Sequence, residues 1–482
     1  MEERYIASVD LGSSKIALTV AKVSGDDIQV IFYREKASQG IRNSAVFNPQ
    51  KASAPIREVI AEAESELNIK ILQVVVGLPR CDVRQETNCA RVTRSNPEDS
   101  ISAEEVEALK SIAREQYPLE DPEHEQIYGA IAQSYSEDEN FQLIENDIIG
   151  VISESFEGNF KLFIGKRRAV QTIDKVFNDL EIAISRKYFT PGAIAKAVLM
   201  EDEMENGVAL VDFGGGATSV SIYKGKILRH YACIPFGGKV ITSDIRSECS
   251  ITESLAENIK MAYGACQPDR LQNLGEKILQ IEGDVEGYKQ IPVYFLSEII
   301  TARCREIIDA VLYEIQESGF ADSLRSGMVL TGGGAELANL GNFIKDLSGY
   351  TVRTGIPRPL FSASGCPGVF SPSATTSIGM LLEAKGDGVS SCIDAPAAAA
   401  VEPEEEEEPV MPDTAPALPD DAPEGSSTEL FTPEEVPQVE KKKKKKTRKP
   451  SSLQVTWERW KNSISDTIGN FYDKVNNDME DK

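Results

Sequence analysis

Asp10 and Asp212 each close an apolar run, and each is followed by small residues. Tyr5-Ile6-Ala7-Ser8-Val9-Asp10 leads into Leu11-Gly12-Ser13-Ser14-Lys15, and Val208-Ala209-Leu210-Val211-Asp212 leads into Phe213-Gly214-Gly215-Gly216-Ala217-Thr218. A second alternating run leaves each turn, so both stretches read as β-hairpins whose tight turns keep backbone N–H groups open to a phosphate. A carboxylate at the strand end suits Mg²⁺, directly or through water, because magnesium takes hard oxygen ligands and keeps several waters. A third turn, Thr331-Gly332-Gly333-Gly334, follows the apolar Met328-Val329-Leu330 and could pass its backbone close against a flat base. Any one of these is also an ordinary Gly-rich turn. Together they point to a nucleoside triphosphate, with Mg²⁺ on Asp10 and Asp212 and with phosphates near Gly12, Ser13, Ser14, Lys15, Gly214, Gly215, Gly216 and Thr218.

The strands and helices around these turns follow from an internal repeat. Both hairpins continue into a polar turn (Ser24-Gly25-Asp26-Asp27; Lys224-Gly225-Lys226) and then a third strand. A repeated supersecondary unit predicts two similar lobes facing each other, their loops clamping the ligand between them. The first lobe is expected over 1–82 and 166–205, with a helix near Pro49–Leu67 and a buried strand over 71–76 ending at Gly77. Residues 83–165 change character, with a capped acidic helix from Ser102 to Tyr117 and short strands near 126–133, 141–144 and 160–165. A second lobe is expected over 206–239 and 300–365, with a helical insertion at 240–299, and a return to the first lobe at 366–390. The small-residue runs at 191–199 and 373–382 read as helices that could cross closely, as a hinge or as core packing. Glu257 and Lys260 lie three apart on one helical face, where a surface ion pair is the ordinary reading.

In this order, the Asp10 hairpin, the Asp212-Phe213-Gly214-Gly215-Gly216 hairpin and Leu330-Thr331-Gly332-Gly333-Gly334 resemble the actin, sugar-kinase and heat-shock-chaperone ATPase superfamily. Ile234-Pro235-Phe236-Gly237-Gly238-Lys239, Ala256-Glu257-Asn258-Ile259-Lys260 with Tyr263-Gly264, and an amphipathic C-terminus resemble the FtsA family of bacterial cell-division proteins. The resemblance covers roughly 5–385 and the last thirty residues. It implies an α/β, actin-like (ribonuclease H-like) two-lobe ATPase fold whose inserted α+β subdomain contacts neighbouring subunits. It also implies that Glu257 and Lys260 meet the ribose and adenine of ATP. Further implications are recruitment of the tubulin-like FtsZ, contact with other division proteins, short filaments and a place at the division site. Ser219 stands where many superfamily members carry an Asp, so binding is implied more firmly than turnover, with at most weak ATPase activity. A soluble sugar-type kinase would need a carboxylate base to take the substrate's proton, and none can be placed. An actin-like scaffold for cell shape or pilus assembly would share the cleft and differ in partner. A chaperone would need a β-rich substrate domain after the lobes.

The bulk properties bound these readings. A chain of 482 residues can bury several cores, and its formal charge of −26 argues against a nucleic-acid binder, because phosphates would be repelled. Eight scattered Cys without metal-like spacing fit reduced thiols, and two His leave little room for His-centred catalysis. No signal peptide and no membrane-spanning run is expected, which places the chain in the cytoplasm. Residues 391–440 hold nine Pro and fifteen Asp or Glu with no Lys or Arg, so a disordered acidic linker is expected. A basic run at 441–450 follows, then a helix over 451–482 in which Leu453, Trp457, Trp460, Ile464, Ile468, Phe471 and Val475 share one stripe. At 100° per residue those seven fall within an arc of about 80°. Both tryptophans lie on the stripe beside the basic run, which fits peripheral attachment to the anionic cytoplasmic face of a membrane.

Overall fold

The computed structural model describes residues 3–137, 142–282 and 288–394. The predicted linker beyond 394, the basic run and the seven-residue stripe lie outside the described residues.

The chain opens with β1 (Arg4–Leu11), β2 (Lys15–Ser24) and β3 (Asp27–Ala37), the expected hairpin and third strand, with Asp10 opposite Ala17. Helix α1 (Pro49–Leu67) starts where Asn48 accepts the Lys51 N–H and Pro49 takes the first turn; it ends at Asn68 in the left-handed region. Strand β4 (Gln73–Gly77) then lies parallel to β1, its three valines fully buried because both faces of the sheet are covered.

From β4 the chain enters the inserted subdomain. It contains β5 (Arg84–Thr93), α2 (Ala103–Glu115), β6 (Glu125–Glu137), β7 (Gln142–Leu143) and β8 (Ser155–Lys166). The four strands form a separate sheet in the order β7-β6-β8-β5, with α2 packed on it. Strand β5 was not anticipated: its mostly polar, half-exposed residues give no apolar run, and its pairing with β8 alone defines it. Helix α2 carries the expected capping box between Ser102 and Glu105. Buried Arg94 ties the subdomain together, donating to Glu105 and to the carbonyls of Asp99, Ser100 and Ser153. Its hydrogen bonds, with that from the Ser102 amide, hold the Glu105 carboxyl below its ordinary value of 4.5. A carboxylate with a depressed folded-state pKa stabilises at higher pH and loses that contribution as pH falls through the folded value. Amide protection in α2 is therefore expected to fall as pH drops below about 4, and Glu105→Gln should flatten the profile, as hydrogen exchange would show.

Helix α3 (Arg167–Asn178) and β9 (Ala183–Tyr188) return to the first sheet, where β9 pairs in parallel with β4. Helix α4 (Thr190–Val198) then leads to β10 (Val208–Phe213), β11 (Thr218–Lys224) and β12 (Ile227–Ile234), a second meander. Helices α5 (Gly238–Cys249) and α6 (Glu253–Tyr263) follow, then the hairpin β13 (Ile278–Glu282) and β14 (Tyr288–Pro292). The region 240–299, expected to be helical, thus also carries a two-stranded sheet. Helix α7 (Val293–Glu317), β15 (Met328–Thr331), α8 (Leu340–Ser348) and β16 (Val352–Thr354) complete the second lobe. The chain rejoins the first sheet at β17 (Ser362–Ala363), which pairs with β3, slightly before the expected 366. Helix α9 (Thr375–Gly386) follows.

The sheets show the internal repeat directly. In the first, β9, β4 and β1 run parallel and are continued by the antiparallel β2 and β3; in the second, β16, β15 and β10 run parallel and are continued by β11 and β12. Even the register irregularity recurs, after Val20 in one copy and after Ile222 in the other, each ten residues beyond its Asp.

The folded part extends further than expected. Residues 391–394 open the expected linker by composition, yet Cys392 is buried and Ile393–Asp394 pairs with Lys70–Ile71. The physical reason is the apolar set Val389, Cys392 and Ile393, which packs into the first core before the acidic composition begins.

Candidate functional site

Strands β1 and β10 carry their aspartates to the C-terminal ends of the parallel strands, where open α/β sheets place ligands. There a cavity of about 750 Å³ opens between the two sheets. It is lined by Asp10, Gly12, Ser13, Ser14 and Lys15, by Asp212, Gly214, Gly215 and Gly216, by Glu257 and Lys260, and by Gly332, Gly333 and Gly334. Of the residues expected at a nucleotide, Thr218 alone is not brought there. It is fully buried, and its hydroxyl donates to the Phe236 carbonyl at 2.8 Å, which spends it on fixing the meander.

The two hairpin turns face each other closely. A side-chain carbon on Gly215 would lie 2.0 Å from Ser14 Oγ, and one on Gly216 would lie 2.4 Å from Ser13 Oγ. The amides of Gly12, Ser13, Ser14, Gly215 and Gly216 find no acceptor among the described residues, a cradle of free donors suited to an anion. Ser13 Oγ accepts the Ser44 amide at 2.9 Å, and Lys15 pairs with Glu35. On α6, Glu257 and Lys260 do form the ion pair expected from their spacing, at 2.8 Å, and both also line the cavity. Lys260 additionally donates to the Gly238 carbonyl at 3.0 Å and to Thr242 Oγ1 at 2.8 Å, so its ammonium is fixed at the start of α5.

The electrostatic centre of the cavity is a residue absent from the sequence-based set. Arg80 reaches from the loop after β4 and donates to Asp212 Oδ2 and, at 2.7 Å, to Thr376 Oγ1. Asp10 Oδ1 lies 3.8 Å from the same guanidinium. Burial raises the Asp10 pKa, with Asp212 adding to the rise and Arg80 opposing it. Burial by itself would lower the Arg80 pKa, but the two carboxylates more than reverse this, and it stays charged. Lys239, Thr242, Glu253, Glu336 and Thr375 also line the cavity unanticipated. Arg80 has one readable signal: Gly77-Leu78-Pro79-Arg80 leaves the end of β4, just as Thr331-Gly332 leaves β15.

Two copies of one core with a cleft between their hairpins define an actin-like protein. The fold is shared with the solved PilM-PilN type IV pilus biogenesis complex at a TM-score of 0.54, with 14% identity, covering 78% of this chain and 98% of that one. A family model described as cell division protein FtsA matches residues 209–379. The chain is 30% identical over 382 residues to the cell division protein FtsA of Neisseria meningitidis serogroup B, covering 79% of this chain and 90% of the relative. It is 27% identical over 392 residues to that of Pseudomonas aeruginosa, covering 80% and 91% respectively. The chain belongs to the FtsA family and is an actin-like cell-division protein, which selects that reading over a sugar-type kinase.

Proposed function

We propose that the cleft binds ATP with Mg²⁺, and that the protein tethers FtsZ polymers to the cytoplasmic face of the membrane at the division site. The observation that carries the nucleotide reading is the convergence of three glycine turns and two aspartates on one cavity, with free backbone amides in the turns. Those amides receive phosphate oxygens, Gly332 to Gly334 pass beside the base, and Glu257 and Lys260 meet the ribose and adenine. Asp10 and Asp212 would hold the cation. Two carboxylates are too few for a full protein cage, which suits an ion sharing its shell with phosphates and water. When bound, the cation neutralises triphosphate charge. Ser219 lies opposite Asp212 in the hairpin and offers no carboxylate, so nucleotide acts mainly through lobe closure and self-association, with slow turnover.

The tethering part rests on the stripe from Leu453 to Val475 beside the basic run, and on membership of a division-protein family. Among the described residues no helix is long and apolar enough to cross a membrane. The full chain is expected to sediment with anionic liposomes, more weakly as salt rises, because basic residues near the surface contribute about 1 kcal/mol each. A chain ending at Pro450 and the Trp457→Ala/Trp460→Ala double variant are expected to stay in solution. Three soluble proteins would overturn the anchor. Saturable binding of a fluorescent ATP analogue by the full chain tests the cleft, and absence of binding at millimolar nucleotide would overturn it.

A further inference from the structure

The two aspartates proposed for the cation already have one. Arg80 bridges them from a first-lobe loop, reaching Asp212 of the second lobe while lying 3.8 Å from Asp10. All three side chains are largely withdrawn from water, at 13%, 14% and 5% exposure for Arg80, Asp10 and Asp212. Two carboxylates this close and this buried repel each other unless a cation lies between them.

The loop carrying Arg80 is pinned from behind. Tyr231 Oη on β12 donates to the Arg80 carbonyl at 2.8 Å, and Gln85 exchanges two hydrogen bonds with the Tyr231 backbone, at 2.6 and 3.0 Å. The sulfur atoms of Cys81 and Cys233 lie 2.6 Å apart beside it. The backbone at Arg80 is therefore fixed to the second lobe, and the freedom left is that of a long side chain anchored near Thr376.

We propose that Arg80 is a built-in counter-ion that competes with a divalent cation for Asp10 and Asp212. This rests on the nucleotide reading above and deepens it. Through these carboxylates the guanidinium keeps the two lobes joined. The cation and its phosphates enter only by taking those carboxylates over, whereupon the guanidinium turns to the phosphate charge beside it. Arg80 thus sets the threshold at which magnesium is accepted, so that the ion without nucleotide binds poorly.

The test is a magnesium titration of the full chain without nucleotide, read as the melting temperature. In the wild type, magnesium is expected to shift melting little. Arg80→Gln should melt lower in EDTA and be restored by magnesium, with a midpoint about tenfold or more below that of the wild type. Arg80→Lys keeps the charge but not the fork that reaches both a carboxylate and Thr376, so its midpoint should fall between; it also serves if Arg80→Gln folds poorly. Equal midpoints in all three proteins, with nucleotide still bound by the wild type, overturn the role of Arg80 alone. A wild type that binds no ATP analogue overturns the reading of the cleft. Weaker binding of the magnesium-bound ATP analogue by Arg80→Gln, with an unchanged magnesium midpoint, would make Arg80 a phosphate ligand only and likewise overturn the competition.

Discussion

Gly379→Ala is expected to destabilise the protein by about 2 kcal/mol, although alanine is the better helix former. In the middle of a helix, replacing glycine by alanine normally gains about 1 kcal/mol. At position 379 the added carbon would lie 2.1 Å from the Ala193 carbonyl oxygen and 2.4 Å from its carbon, in backbone that cannot rotate away. Helices α4 and α9 pack so closely that one main chain rests on the other. Overpacking of this kind costs about 1–3 kcal/mol and sometimes more, which outweighs the propensity gain. The position is also mechanical. The chain leaves for the second lobe at the end of α4, and on its way back Arg358 hydrogen-bonds to the carbonyls of Ala197 and Lys196. Both crossings between lobes are thus fastened to the helix that Gly379 touches. Urea denaturation gives the measurement, and Gly192→Ala is the control, since the nearest atom there is 3.9 Å away on the flexible side chain of Glu383. The control should be neutral or slightly stabilising. An unchanged midpoint for Gly379→Ala would dismiss the close crossing.

Gly332→Ala is expected to damage both stability and the site. Gly332 has φ of 82° and ψ of 165°, a region left almost wholly to glycine, so any side chain there is strained by about 1–3 kcal/mol. The new carbon would also lie 2.3 Å from Asp212 Oδ1 and 2.7 Å from the Phe213 carbonyl oxygen. The carboxylate can yield only by leaving Arg80, which would strand a buried charge. Nucleotide affinity should fall about a hundredfold, equivalent to roughly 2.7 kcal/mol. At Gly333 the nearest neighbour would be 3.8 Å away and φ is unremarkable, so Gly333→Ala should keep the wild-type melting temperature. Titration with a fluorescent ATP analogue and thermal melting of both variants distinguish these outcomes. Equal melting temperatures for the two would refute the strain at 332.

These positions also show what is readable before folding. The hairpins at Asp10 and Asp212 announce themselves locally, because a strand, a small-residue turn and a second strand fit within sixteen residues. The caps of α1 and α2 are equally local, resting on Asn48 with Pro49 and on Ser102 with Glu105. Arg80 is different. A lone arginine after Pro79 means nothing until β1, β4 and β10 bring two carboxylates around it. Strand β5 gives little local signal because its half-exposed, mostly polar residues form no apolar face, and its pairing with β8 defines it. The apolar positions Leu279, Ile281 and Ile291 of β13–β14 are too few and too short a run to separate a hairpin from a helix. Thr218 follows directly on the cavity-lining Gly216 and Ala217 in sequence, but only the fold shows that its hydroxyl is bound to the Phe236 carbonyl. The edge strand at Ile393 was hidden by the acidic composition that begins just beyond it.

That edge strand has a consequence for force. Tension applied at residues 390–394 would be borne by the contacts those residues make. There Cys392 donates to the Tyr5 carbonyl at 2.6 Å, and its own carbonyl accepts the amides of Leu72 and Gln73 at 3.0 and 3.2 Å. Gln73 also reaches Ser390 and the Ser391 carbonyl through its side chain. Tyr5 and Gln73 stand at the near ends of β1 and β4, and the far ends of those two strands hold Asp10 and lead to Arg80. A pull at residues 390–394 would load two parallel strands whose far ends hold Asp10 and lead to Arg80.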